Sequence, residues 1–424
     1  MPDDFRDLPT RCCAAVDAGG TGRFLPAALA RHGMRCIHVQ SPDMLPDPGS
    51  PAVDLHHDGD LVATAGALRE YGVDSVIAGT ESGVELADAL AGQLGLPGNG
   101  MRNPRARRNK YEMALAVQRA GLAIAEMMHS GSADDLVSWA TARDEWPVVL
   151  KPTESSGADQ VIVCFDAGDV RAAREVIMTR PNKYGRRNKA VLAQEFLKGD
   201  EYFINTISRD RVHYVAEIWC YHKRWVQGNR VIYDYESPLA AADPVAVELA
   251  AYTLAVLDAL EIHNGAAHTE VMRTAAGPVL IDCGARLCGS QLPDMVSRCF
   301  GTSQLELTAL SIARPAEFEL VAATPFDLKT HARYVSLISP RPGVVPSEAA
   351  LQAIYSLPTF GGMKIKWSAG QSLPETVDLA TSPGYVYLVS DQPDGLERDY
   401  RRLRELEAGP LYAASAASAA PAWA

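Results

Sequence analysis

The chain has no CxxC pair and no Cys or His spacing of the kind that holds zinc. Its eight cysteines therefore read as free thiols in a reducing, cytoplasmic compartment. No apolar run is long enough to span a bilayer, and the opening stretch MPDDFRDLPT lacks the basic-then-apolar pattern of a signal peptide. A basic excess is missing as well. Lysine and arginine total 40 against 52 aspartates and glutamates, a formal net charge of −12. That excludes a nucleic-acid binder held by a broad basic surface, but not a local phosphate pocket. There is no internal repeat, no GxGxxG, no GxxxxGK[ST] and no Ser/His/Asp or Cys/His nucleophile arrangement.

What is present is an ordinary globular composition, 47% hydrophobic and 22% charged, over 424 residues. That length suffices for about two to four domains. Near the start, RCCAAVD runs into AGGTGRFLPAALARHG and then CIHVQ, a strand–turn–helix–strand unit. Gly19, Gly20 and Gly22 read as a tight turn of a Rossmann-like domain rather than a nucleotide fingerprint. A third strand is expected at residues 75–78. The turn after it, residues 79–83, puts Glu81 and Ser82 where parallel strands present ligand groups; helix capping explains them equally well.

A Pro/Gly/Asn-rich stretch with an arginine cluster, LPGNGMRNPRARRNKYEM, marks a domain boundary and enters a helix over residues 109–120. Next come VVLKP, the loop TESSGAD and QVIVCF. Lys151 at a strand end beside Ser155, Ser156 and Gly157 forms a phosphate cradle of backbone N–H groups and one point charge. The basic loop RPNKYGRRNK reads as a solvated, mobile tip. VLAQEFL and YFINTIS are strands joined by a kink at residues 198–201, a hinge between a small domain and a larger one.

Residues 265–290 read as two strands joined by a tight turn. With a three-residue loop at 275–277, Thr274 faces Pro278, Glu270 faces Asp282 and His268 faces Gly284. Opposed carboxylates about 5 Å apart point to a positive partner, either Arg286 or a hard divalent cation, while a surface hairpin whose acids face water explains the stretch equally well.

Taken in order, Lys110, Lys151, Ser155-Ser156-Gly157, Gln194-Glu195-Phe196-Leu197 with Glu201, Glu270, Asp282 and Arg286 resemble the ATP-grasp superfamily from about residue 109 to 315. The resemblance implies an α/β and α+β multidomain chain. Residues 1–105 would be the Rossmann-like domain and 106–145 a linker with helical entry. The lid would span 146–200, the metal-bearing central domain 201–315 and a C-terminal α+β region 316–410, with a disordered tail at 411–424. It also implies that Lys110, Lys151 and the 155–157 loop hold ATP phosphates. The backbone around Phe196 (Glu195 and Leu197) would meet adenine, and Glu201 the ribose. Glu270 and Asp282 would bind Mg²⁺, and Arg286 would stabilise the transferring phosphoryl group. The family's usual Asn metal ligand is replaced by Gly284.

Within the superfamily the chain is similar to the L-amino-acid ligase (dipeptide synthetase) branch, on TESGVELADALAGQLGLPGN, HTEV with His268, and GGMKIKWSAGQSLPETVDL. This implies amide formation between amino-acid-like substrates through an acyl phosphate, releasing ADP and phosphate. His268 would orient substrate or act as a base, and Glu81, Ser82, Tyr235 and Glu236 would contact substrate. The expected partners are small molecules, with no nucleic acid and no membrane; a homodimer stays open. So do a biotin carboxylase or purine-synthesis type of ligase and a nucleotide binder without turnover.

Overall fold

The computed structural model describes residues 11–47, 49–226 and 230–412. The chain forms two compact units. The first takes in residues up to Ile218, Ala240–Val296 and Thr302–Asp327; the second has Trp219–Leu239, Ser297–Gly301 and residues from Leu328 on.

The first unit opens with β1 (Cys12–Val16), α1 (Leu25–Ala30), β2 (Arg35–Gln40), β3 (Leu55–His56), α2 (Leu61–Glu70), β4 (Val73–Ala78) and α3 (Val84–Leu94). The strands form a parallel sheet in the order β3-β2-β1-β4. β1 is buried throughout, as a parallel strand covered on both faces requires. The strand expected at 75–78 is the fourth, because the two-residue β3 leaves no periodic signal. The early glycines serve close packing: a Cβ on Gly22 would lie 2.5 Å from the Gly79 oxygen, and one on Gly20 3.0 Å from that of Gly289.

α4 (Lys110–Arg119) starts where Asn109 caps it, the Asn109 side chain accepting from Tyr111 and Glu112 N–H groups. The next layer is β5 (Met127–Ser130), α5 (Ala133–Ala142), β6 (Val148–Pro152), β7 (Ile162–Cys164), α6 (Ala167–Thr179) and β8 (Val191–Glu195). Its antiparallel sheet, β5-β8-β6-β7, packs on both helices through Leu136, Leu150, Val170 and Ile177. Then follow β9 (Gly199–Arg209), β10 (Val212–Val226), β11 (Arg230–Pro238), α7 (Pro244–Ala259), β12 (Gly265–Thr274) and β13 (Gly277–Gly284). β13, β12, β9 and the first part of β10 lie side by side. Gly199, Asp200 and Glu201 belong to β9, so the expected kink at 198–201 shrinks to the Phe196–Lys198 connection.

α8 (Pro293–Phe300), α9 (Gln304–Ala313) and α10 (Pro315–Ala322) complete the helices before residue 328. In the second unit the end of β10 pairs with β11. The order continues through β14 (His331–Ser336), β18 (Gly384–Ser390) and β16 (Phe360–Ile365), while β15 (Gly343–Val344) pairs with β17 (Ser372–Leu373). α11 (Glu348–Tyr355) and α12 (Pro393–Ala408) supply Leu351, Leu396 and Leu403 to its core. Of the expected disordered tail, 413–424 lie outside the described residues, whereas Leu411 and Tyr412 are buried in that core.

Candidate active site

Alternation along β9, β12 and β13 puts one set of side chains on one face of the sheet. Glu270 faces Asp282 and His268 faces Gly284, in the expected register. The turn end differs: Arg273 faces Pro278 and Thr274 faces Gly277, because a bulge after Glu270 absorbs one residue of β13. Gly277, at φ +116°, closes the turn. The bulge preserves the carboxylate pair while shortening the loop.

Two lysines reach this pair. Lys110, first residue of α4, donates to Asp282 Oδ2 at 2.6 Å and to the Ser155 oxygen at 3.1 Å. Burial pushes its pKa down, and Asp282 more than offsets this. Lys151, buried at the end of β6, points at the Ile281 oxygen 3.4 Å away. Burial, and then Lys110, lower its pKa to about 8. Beside Lys110 lies the loop after β6, with Gly157, Ala158 and Gln160 in the left-handed region. Successive N–H groups in such a turn form an anion-binding concavity.

The loop RPNKYGRRNK is not the solvated tip that its composition suggests. Asn182 is buried and donates to the Glu154 oxygen at 2.7 Å. The Tyr184 hydroxyl lies 2.7 Å from Ser156 Oγ, and Arg186 pairs with Asp43.

Arg286 Nε donates to Glu81 Oε2 at 3.0 Å, and Arg108 Nη1 to Glu81 Oε1 at 2.8 Å. Burial pushes Glu81 up, but Arg286 and Arg108 hold its carboxyl at about 2. A Cβ on Gly284 would lie 2.7 Å from Glu81 Oε2 and 2.9 Å from Arg286 Cζ, so the charged pair fills the space of a side chain at 284. Neither Thr80 nor any other side chain caps the short helical turn at Glu81–Gly83. Ser82 instead gives its hydroxyl to Asp17 Oδ2 at 2.6 Å, where Ser41 also donates, and is spent on the fold. The linker arginines divide similarly: Arg107 is fully buried on Asp88, the Leu260 oxygen and the Gly100 oxygen, while Arg108 reaches the site.

His268 heads a buried chain that the sequence did not reveal. Glu217 Oε1 accepts from Asn205 Nδ2 at 2.6 Å and from Gln291 Nε2 at 2.8 Å. A carboxylate only accepts, so Asn205 turns its oxygen to His268 Nδ1, 2.8 Å away, which must carry a proton. Nε2 lies 3.4 Å from Glu270. Burial pushes His268 down, but its pairing with the Cys288 sulfur beside it raises its pKa overall, as the same pairing lowers that of Cys288.

At the end of β8 the Glu195 N–H donates to the Glu126 oxygen, and its carboxylate faces Arg143. That leaves the Phe196–Lys198 connection as backbone outside any named strand. Glu201 faces Met272 across β12, on the same face as Glu270. Tyr235 and Glu236 belong to the second unit. Tyr235 stacks on His222 at 4.2 Å beneath Arg333, and Glu236, next along the strand, is buried toward the other face, so the two cannot line one surface.

Glu270 and Asp282 are hard oxygen donors, and among the described residues no group of three or more His, Cys, Asp or Glu side chains converges as a metal cluster. Mg²⁺ binds through one or two carboxylates plus phosphate oxygens and water, which this donor set fits. All eight cysteines are free, and no helix among the described residues is long and apolar enough to cross a membrane.

No family model matches the chain. It is 34% identical over 407 residues to dapdiamide A synthase of Enterobacter agglomerans, covering 93% of this chain and 95% of that one. Against the L-arginine-specific L-amino acid ligase of Bacillus subtilis it is 22% identical over 237 residues, 55% of this chain and 56% of that one. The solved L-amino acid ligase from Bacillus licheniformis has the same fold, with a TM-score of 0.73 at 19% identity, covering 94% of this chain and 98% of that one. An ADP complex of N5-carboxyaminoimidazole ribonucleotide synthetase gives 0.67 at 17% identity, covering 94% and 97%.

Proposed function

Because the chain belongs to the ATP-grasp family of amide-forming ligases, we propose that it joins two amino acids or amino-acid-like metabolites through an acyl phosphate. The observation that carries this is the convergence of Lys110, Lys151 and the 155–157 loop on the facing pair Glu270 and Asp282. Cations and N–H donors gathered beside paired carboxylates suit a nucleotide triphosphate held with a hard cation.

In this reading Lys110, Lys151 and the loop bind the phosphates, and the backbone of Glu195 and Leu197 takes adenine, with Glu201 at the ribose. Bound Mg²⁺, held by Glu270 and Asp282, would neutralise phosphate charge. Arg286, fixed by Glu81, faces the charge that develops as the substrate carboxylate attacks the γ-phosphate and ADP leaves. An amine then attacks the acyl carbon and expels phosphate. His268, anchored by Asn205, orients the carboxylate substrate. Residues 146–200 act as the lid and 201–315 as the body that bears the metal.

Enzymes of the purine-synthesis and biotin carboxylase types share the fold, and at 17% and 13% identity the likeness goes no further. The test is a phosphate-release screen over pairs of amino acids with ATP and Mg²⁺. Release should require both members of a pair and yield an amide; release dependent on bicarbonate would overturn the reading.

A further inference from the structure

The loop from Pro181 to Arg187 is bolted to the phosphate loop at three points. Asn182 Nδ2 donates to the Glu154 oxygen at 2.7 Å, and the Tyr184 hydroxyl meets Ser156 Oγ at 2.7 Å. The Lys183 N–H donates at 2.8 Å to Asp159 Oδ2, the same oxygen that accepts from Ser155 Oγ. Internally, Asn182 Oδ1 accepts from the N–H groups of Tyr184 and Arg186, which sets the turn. Arg108 stacks over the Tyr184 ring at 5.1 Å. A solvated tip has no reason to spend these bonds on its neighbour.

This anchoring fixes where Lys183 lies. Its Nζ is 3.5 Å from the point where a Cβ on Gly157 would be, directly beside the proposed anion cradle. The residue as a whole is exposed, its stem included. Among the described residues no carboxylate lies within ion-pair distance of it. Burial and then Arg286 push its pKa down, so the site without ligand disfavours the charge it holds. A polyanion entering the cradle reverses that balance.

We propose that Lys183 is a third phosphate-binding lysine, and that its loop, latched by Tyr184 to Ser156, covers the terminal phosphates of bound nucleotide together with the 153–160 loop. The proposal rests on the ATP-dependent reading above and extends it to a residue outside the motifs that carried the resemblance. Lysine suits this place as a compact charge on a flexible stem.

The experiment is calorimetric titration of the full chain with ATP, ADP and AMP at fixed Mg²⁺, for wild type, Lys183→Met, Lys183→Arg and Tyr184→Phe. Lys183→Met should weaken ATP about tenfold or more, the size of a lost charge-assisted bond, and leave AMP unchanged. Lys183→Arg should recover most of the loss. Tyr184→Phe should weaken ATP more than AMP. An unchanged AMP affinity also shows that the variants fold. If wild type binds ATP and Lys183→Met binds it within about twofold as tightly, the proposal is overturned while the ligase reading stands. If wild type binds no nucleotide, the ligase reading falls and this proposal falls with it.

Discussion

Glu81 Oε2 lies 2.7 Å from the point where a Cβ on Gly284 would be. The two residues come from β4's outgoing turn and the end of β13, and the glycine makes room for the ion pair of Glu81 with Arg286. Gly284→Ala should therefore destabilise the chain by about 1–3 kcal/mol through overpacking. In a Glu81→Ala background the added methyl should cost less, giving a coupling of about 0.5–3 kcal/mol in a denaturant double-mutant cycle. Additive losses would show that the contact is not the reason for glycine.

Glu81 also sets an acid limit. Its folded pKa, about 2, lies below the usual value of 4.5, so its contribution is complete above pH 4.5 and is lost as pH falls toward 2. A shift of that size corresponds to a contribution on the order of 3 kcal/mol. Glu81→Gln should be less stable than wild type at pH 7, and the gap should close between pH 4.5 and 2. A gap independent of pH would contradict the pairing.

At Lys151 folding disfavours the charged form, where at Glu81 it favours it. Its folded pKa of about 8 lies below 10.5, so without ligand the unfolded chain binds the extra proton and stability rises with pH across that window. Bound phosphates favour the ammonium. At pH 8.5, ATP binding should take up a fraction of a proton, up to about one, read from calorimetry in buffers of different ionisation enthalpy. Lys151→Met should abolish the uptake, and uptake persisting in that variant would assign it elsewhere.

Glu270→Gln keeps the shape of the β12–β13 pair but removes one of its two facing charges. ADP formation should fall about a hundredfold or more, with the melting temperature little changed. Turnover like wild type would remove Glu270 from the metal site.

Much of this was legible because it is local. Asn109 caps α4 and sets Lys110 at its first position; a three-residue loop at 275–277 places Glu270 opposite Asp282, a pairing that the bulge keeps although the loop is shorter. The turn at Thr274 and Gly277 differs from the expected one because a bulge leaves no trace in an alternating pattern. The 181–187 loop has the composition of a solvated tip, and only its tertiary bonds from Asn182 and Tyr184 show otherwise. Glu81 and Arg286 are 205 residues apart, and His268, Asn205, Glu217 and Gln291 meet only once the sheet is formed. No spacing rule links such partners.

The central claim is that a carboxylate is activated as its acyl phosphate. It is tested most directly with an amino-acid substrate, found in the pair screen, whose carboxylate oxygens are replaced by oxygen-18. When the amine expels phosphate, the bridging oxygen leaves with it, so the account predicts about one heavy oxygen in each phosphate released, detected by mass spectrometry. Unlabelled phosphate accompanying amide product would contradict it.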